Sequence, residues 1–262
     1  MSTLTLAVHD SRTMLRRNFL HMRRYPSMTL LLIGIPVIIL LLFVYVFGGT
    51  LGAGLGPSGG RAQYANYVTP GILLITVVSA AQGTAISVAM DMTEGIIARF
   101  RTMAIFRPSV LTGHVLGSLI QTLLSLAAVT GVAVLVGFRP TANPVEWLAA
   151  AGVLAMITFA LTWLSVALGL VSDTVETASN LPMPLVLLPF LGSGFVPTDS
   201  MPTPIRLFAD YQPFTPVMET LRGLLLGSGI GANGIIAVAW CAVITVGCFL
   251  WAKALYNRNR AA

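Results

Sequence analysis

Residues 28–47, MTLLLIGIPVIILLLFVYVF, are twenty consecutive positions without a charged side chain. A helix of about 20 apolar residues crosses the roughly 30 Å hydrocarbon layer of a bilayer. The run is longer than the apolar core of about 7–15 residues in a cleaved signal peptide, and a long Arg-rich lead precedes it, so it is expected to be a retained membrane span. Outward from it, five further apolar runs occupy residues 67–90, 111–137, 147–171, 178–195 and 235–255. The fifth of these is the shortest and carries Pro182, Pro184 and Pro189, which should bend it.

The whole composition agrees with that reading. Of 262 residues, 56% are hydrophobic and 9% charged, against about 25% charged in soluble domains. A water-exposed globule with so little charge would aggregate. The net charge of +6 does not point to nucleic acid, because the basic residues sit at the ends of apolar runs rather than in a groove interleaved with aromatics. Cys241 and Cys248 are seven residues apart on one helix face. About 10 Å of rise separates them, too far for a disulfide. They read as small packing residues, and His9, His21 and His114 are isolated, so no metal site is expected.

Lys and Arg set the expected orientation. Arg12, Arg16, Arg17, Arg23 and Arg24 precede the first run; Arg99, Arg101 and Arg107 lie between the second and third; Lys253, Arg258 and Arg260 end the chain. Only Arg61, Arg139, Arg206 and Arg222 fall on the other side. Six spans with this bias place both termini in the cytoplasm. In the lead, Val8, Leu15, Phe19 and Met22 form an apolar stripe flanked by the arginines. The pattern fits a helix lying on an anionic membrane surface, while the same arginines also serve to set topology.

Two connecting segments stand out. Residues 48–61 are glycine-rich and read as a flexible external loop. Between residues 195 and 233, apolar pieces too short to cross are punctuated by Pro197, Pro202, Pro204, Pro213 and Pro216. They predict two short helices dipping into the outer leaflet, at 204–211 and 216–227, each with a proline in its first turn, where an N–H has no helical partner anyway. Glu219 and Arg222 are three apart on the second and are placed either to pair or to cap the outer elements, a structural role in both cases. Gly192 and Gly194 are expected to allow close helix packing more than to touch substrate, and Ser79, Gly83 and Ser87 form a small-residue stripe.

Enzyme chemistry finds no support. Lys253 is the only lysine and no phosphate-binding Gly-Lys loop exists; the zinc-protease and serine-hydrolase motifs are missing too. The spans lack ionisable groups at depth, apart from His114 near one end, so proton coupling is not expected. Energy for uphill transport would have to come from a partner. Ile96, Phe100 and Met103 share a helical face, with Glu94, Arg99 and Arg101 elsewhere around the axis. Such an amphipathic segment suits either a membrane surface or a protein groove. Without transport, a chain of this kind would be a membrane-embedded assembly protein.

Three stretches resemble the ABC-2 type transporter permeases, close to the daunorubicin-resistance, nodulation-factor and polysaccharide export branches. The first is Arg23-Arg24-Tyr25-Pro26 with Pro36 and Phe47-Gly48-Gly49. The second runs from Gly95 through Arg99-Phe100-Arg101 to Arg107 and Gly113 and resembles the family's coupling helix; this chain has Ala104 where the family often has proline, so the helix can run further. The third is Leu188-Pro189-Phe190-Leu191-Gly192-Ser193-Gly194-Phe195-Val196-Pro197, then Met201-Pro202, Pro213-Phe214-Thr215-Pro216 and Leu221-Arg222-Gly223. The resemblance implies one all-α transmembrane domain over 1–262 with six transmembrane helices, an interfacial amphipathic helix, a cytoplasmic coupling helix around Glu94, Gly95, Arg99, Phe100, Arg101 and Arg107, and re-entrant outer helices. It further implies a half-transporter: two permease chains, expected as a homodimer, with two ATPase subunits that bind ATP and Mg, exporting an amphiphilic or lipid-like cargo across a bacterial inner membrane.

Overall fold

The computed structural model of the protein describes residues 26–56, 60–93 and 108–258. Among these, α-helix dominates and no strand occurs. Helix α1 (Pro26–Leu41) continues through a π-helical turn, Leu42–Phe47, into α2 (Gly48–Ala53). The long helices α3 (Arg61–Thr93), α4 (Pro108–Val136) and α5 (Pro144–Val171) follow. Two short helices come next, α6 (Val175–Asn180) and α7 (Met183–Leu187), and then a 3-10 turn at Thr198–Ser200. Helices α8 (Thr203–Tyr211), α9 (Phe214–Leu226) and α10 (Asn233–Arg258) complete the chain.

Among the described residues, five helices are long and apolar enough to cross a membrane: Leu30–Ala53, Arg61–Thr93, Val115–Val136, Pro144–Val171 and Asn233–Tyr256. Each covers a run expected from hydropathy. Helix α3 extends beyond its apolar run at both ends, because Arg61, Gln63 and Asn66 lower the hydropathy without breaking the helix. Helix α5 starts where a capping box fixes it: the Asn143 side chain accepts from the backbone N–H groups of Val145 and Glu146, and Glu146 accepts from Asn143 N–H. The loop expected at 48–61 is helical over its first six residues, Gly48–Ala53. Gly48 and Gly52 pack against Arg61 and Gly60, so the glycines serve close approach there rather than flexibility.

The fifth run departs most from expectation. Residues 178–195 do not form one helix but pass from α6 through α7 into a series of turns. Pro182, Pro184 and Pro189 each remove a backbone donor, and together they leave no uninterrupted stretch long enough to propagate a helix. Yet the segment follows α3 along its length. Gln82 Nε2 on α3 donates to Ser179 O, Gly71 meets Gly194, and Tyr64 Oη donates to Phe195 O. From Gln82 back to Tyr64 is about 27 Å along the helix at 1.5 Å per residue. The broken segment thus runs antiparallel to α3 over most of a bilayer's hydrocarbon thickness.

Helices α3 and α5 form the interior. Ile72, Leu74, Val78 and Ala85 of α3 and Ile157, Ala160 and Val166 of α5 are fully buried. The outer helices α1, α4 and α10 expose apolar side chains such as Leu30, Ile38, Leu135, Ile235 and Val243, a surface suited to lipid. A second cluster, Val88, Val115, Trp163, Ala252 and Tyr256, closes the Thr93 end of the bundle. Arg61, Arg139 and Arg222 gather at the opposite end: Arg61 lies over the Tyr45 ring, Arg139 N–H donates to Asn66, and Arg222 to Tyr67 O. The π-helical turn after α1 reaches that Arg61 end through Phe43, whose ring contacts Phe195, so α1 begins, and α10 finishes, at the Thr93 end.

Gly71 and Gly194 bring α3 and the broken segment into backbone contact; a Cβ on Gly71 would stand 2.9 Å from Gly194 O. Gly71→Val should therefore lower stability by about 1–3 kcal/mol through overpacking against a backbone that cannot rotate away. Gly152→Ala, at a site with nothing within 4 Å, should be neutral or gain up to about 1 kcal/mol of helix propensity. Thermal unfolding of the two variants in the same lipid or detergent checks the pair; equal stability would show that the close approach carries no energy.

Candidate functional site

A broken segment inside a membrane protein leaves backbone carbonyls that no helix satisfies, and away from water each needs a donor. Three buried side chains supply them between residues 188 and 195. Gln212 Nε2 donates to Leu188 O at 2.9 Å, Arg222 Nη2 to Ser193 O at 2.8 Å, and Tyr64 Oη to Phe195 O at 3.1 Å. Tyr64 comes from α3, Gln212 from the junction between α8 and α9, and Arg222 from α9. The turns are thereby tied to every element around them.

Proline and glycine place those donors. Pro202 precedes α8 and Pro204 stands in its first turn; Pro213 precedes α9 and Pro216 occupies its first turn. The observed helices, Thr203–Tyr211 and Phe214–Leu226, begin slightly earlier than the expected 204–211 and 216–227, with prolines still where the N–H has no helical partner. Pro197 leads into the 3-10 turn. Helix α9 ends at Gly227, whose φ of 72° is the left-handed geometry that glycine adopts without steric cost. Near this end, Thr141 N–H donates to Leu225 O, fixing α9 to the loop between α4 and α5. Gln212, at the other end of α9, reaches the Leu188 carbonyl. The two ends of α9 are thus tied to different neighbours, Leu225 to the loop between α4 and α5 and the Gln212 junction to the broken segment.

Arg222 is the electrostatic centre. It pairs with Glu219, as the spacing of three predicted, and its guanidinium also donates to Tyr67 O at 3.2 Å. Its Cζ lies 4.0 Å from the Tyr67 ring centroid, within the range of a cation–π contact. Pro70 provides no N–H to the Asn66 carbonyl and so loosens α3 at this turn. Glu219 is about one-third exposed, so the ion pair sits at the rim while the guanidinium reaches inward.

Gly192 and Gly194 are buried beneath α9. A Cβ on Gly192 would strike Gln212, Thr215 and Met218, and one on Gly194 would strike the Met218 sulfur. These glycines are packing positions, as expected. Phe190 and Phe195 stack at 4.4 Å and meet Phe43 of the π-helical turn, closing the other side of the segment. Glu94, Gly95, Arg99, Phe100, Arg101 and Arg107, the expected coupling residues, lie outside the described residues, as does the expected interfacial helix before residue 26. Tyr64, Gln212 and Thr215 escaped sequence reasoning. The available signal was a polar side chain between short apolar helices, Gln212 beside Pro213, where only a specific partner justifies burial.

A helical bundle with an unwound segment under two short helices is compatible with more than one membrane function. Comparison with known proteins decides among them. Residues 10–226 match the family model described as ABC-2 type transporter. The chain belongs to that family. It is 27% identical over 256 residues to the daunorubicin resistance ABC transporter permease protein DrrB1 of Streptomyces coeruleorubidus, covering 97% of this chain and 88% of that protein. It is 24% identical over 181 residues to a probable doxorubicin resistance ABC transporter permease protein, DrrC, of Mycobacterium tuberculosis, covering 69% and 66%. This ABC-2 chain is accordingly a multi-pass transmembrane permease subunit, and its family implies an ATPase partner.

In the ABC-2 chain, Arg222→Met removes the donors to Ser193 O and Tyr67 O and leaves Glu219 unpaired. A loss of about 3 kcal/mol is expected, the lower end for a broken buried pair because Glu219 is partly solvated. Arg222→Lys should recover only part of it, since an ammonium lacks the planar fork that serves two carbonyls and a carboxylate at once. Thermal unfolding of both variants tests the assignment; full rescue by lysine would reduce Arg222 to a point charge.

Proposed function

We infer that the chain is the membrane half of an ATP-driven exporter. Two copies would pair with two copies of a separate ATPase, which carries ATP and Mg, and the cargo would be amphiphilic or lipid-like: a drug, lipid or glycan. The observation that carries this reading is the family match over residues 10–226. The relative named for daunorubicin resistance supports an amphiphilic cargo. The whole chain, 1–262, then acts as one transmembrane domain.

In this reading the protein lies in a bacterial inner membrane with six crossings, the broken segment after α5 counted as the fifth. Eleven of the fifteen Lys and Arg residues fall on the side of both termini, which makes that side cytoplasmic. Helices α8 and α9 dip in from the outer face. Gly83 and Ser87 are exposed on α3, which is otherwise mostly buried, so that stripe suits close packing with the second copy. Glu94, Gly95, Arg99, Phe100, Arg101 and Arg107 would receive the ATPase motion.

The test is co-expression with a candidate ABC ATPase subunit, followed by ATP turnover in lipid nanodiscs. A stable complex whose turnover responds to amphiphiles is the expected outcome, with Arg99→Glu plus Arg101→Glu lowering ATPase co-purification at least about tenfold, as charge reversal at a docking surface costs more than 1.4 kcal/mol. Failure of any ATPase to co-purify removes the energy source and favours a non-transporting assembly protein. Undiminished co-purification of the double variant moves the coupling contact elsewhere.

A further inference from the structure

Most buried threonines of this protein satisfy their hydroxyls locally. Thr69, Thr76, Thr158, Thr162 and Thr220 each donate to the carbonyl four residues back. Thr215 does not, because it is the second residue of α9 and no carbonyl of its own helix precedes it at that distance. Its Oγ1 has no hydrogen-bond partner in the protein. The same holds for Gln212 Oε1, Ser193 Oγ and Arg222 Nε. All four residues are at least nine-tenths buried, at 7%, 5%, 3% and 9% exposure.

These atoms are not scattered. Gln212 Nε2 and Thr215 Oγ1 stand 2.5 and 2.8 Å from the point a Cβ on Gly192 would occupy. Ser193 is the next residue, and its carbonyl holds the Arg222 guanidinium. The amide of Gln212 is oriented by its bond to Leu188 O, which leaves Oε1 as a fixed acceptor. The set therefore offers an acceptor-only oxygen, a donor-only N–H and two hydroxyls that do either. A carboxylate or phosphate would face the Gln212 oxygen unfavourably, and an ammonium would meet the Arg222 charge. A neutral hydroxyl, which can donate once and accept twice, suits this mixed set without meeting a like charge. Orphaned polar atoms cost enough when buried that the large majority are found with a partner.

We propose that Gln212 and Thr215, with Ser193 and Arg222 beside them, form a buried binding site for a neutral hydroxyl group between the broken span and α9. Water and a hydroxyl of the cargo are the two sources of that chemistry. A bound hydroxyl there bridges the unwound turns to the re-entrant helix, joining the two elements without a rigid side-chain contact.

Met218 reports on the site. It is fully buried, one helical turn beyond Thr215, with its Cε 2.8 Å from the Gly192 Cβ position. Brief X-ray radiolysis of the full-length chain in nanodiscs produces hydroxyl radicals from bound as well as bulk water, and oxidised methionines are read by mass spectrometry. Met218 should be oxidised above the unirradiated background despite its burial, and Thr215→Val should reduce its rate at least about threefold while leaving exposed Met183 unchanged. Oxidation of Met218 at background, or at a rate that Thr215→Val leaves unaltered, overturns the proposal. A repeat with daunorubicin, the only arm that rests on the exporter reading, separates the sources: protection of Met218 alone assigns the site to a cargo hydroxyl, and unchanged labelling assigns it to water. Thermal unfolding provides a second measurement. An occupied site makes Thr215→Val lower Tm, whereas a rise in Tm means that the variant has merely removed an unpaired hydroxyl, and the site is refuted.

Discussion

A peptide carbonyl cannot be left bare in hydrocarbon, and this constraint organises the part of the protein that follows α5. Three prolines in eight residues, Pro182, Pro184 and Pro189, deny the fifth apolar run a continuous helix. The carbonyls of Leu188, Ser193 and Phe195 then require donors from elsewhere, and Gln212, Arg222 and Tyr64 provide them. Once these bonds are required, much else follows. Helices α8 and α9 have to enter the bundle to deliver Gln212 and Arg222, and Gly192 and Gly194 have to be small for α9 to come close enough.

The same bonds explain the charge distribution. Arg222 reaches into the protein, which in an apolar bundle calls for compensation of its charge. It has Glu219 at the rim, two carbonyls inside and the face of Tyr67. Arg206, by contrast, stays at the surface of α8, bridging Asp199 at 2.6 Å and Asp210 at 3.6 Å with all three side chains well exposed. That network is worth little energetically, and Ile205, Leu207 and Phe208 beside it are exposed as well. Helix α9 is therefore anchored while α8 is held loosely, a difference in attachment within one excursion of the chain.

Much of this was readable from residues alone. Long uncharged runs located α1, α3, α4, α5 and α10, because a span must be apolar throughout and hydropathy measures just that. Prolines marked the starts of α8 and α9, and the three-residue spacing of Glu219 and Arg222 anticipated their pair. Hydropathy failed where its assumption failed. It treats an apolar run as a helix, so residues 178–195 read as a bent span when the backbone is largely in turns. It treats glycine as flexible, so residues 48–53 read as loop when close contact of Gly52 with Gly60 favours a helix.

By itself the sequence determined the solvent of this protein, the place of its long helices, the segregation of its basic residues and the family to which it belongs. Each of these is a property of composition or of neighbours a few residues apart. Only the tertiary structure decided which donors serve the broken segment, because Tyr64 and Phe195 are 131 residues apart and Arg222 and Ser193 are 29 apart. No local pattern encodes a hydrogen bond between such distant partners. It exists because folding brings an unsatisfied carbonyl and a buried donor to the same place, where leaving either unpaired would cost more than ordering both.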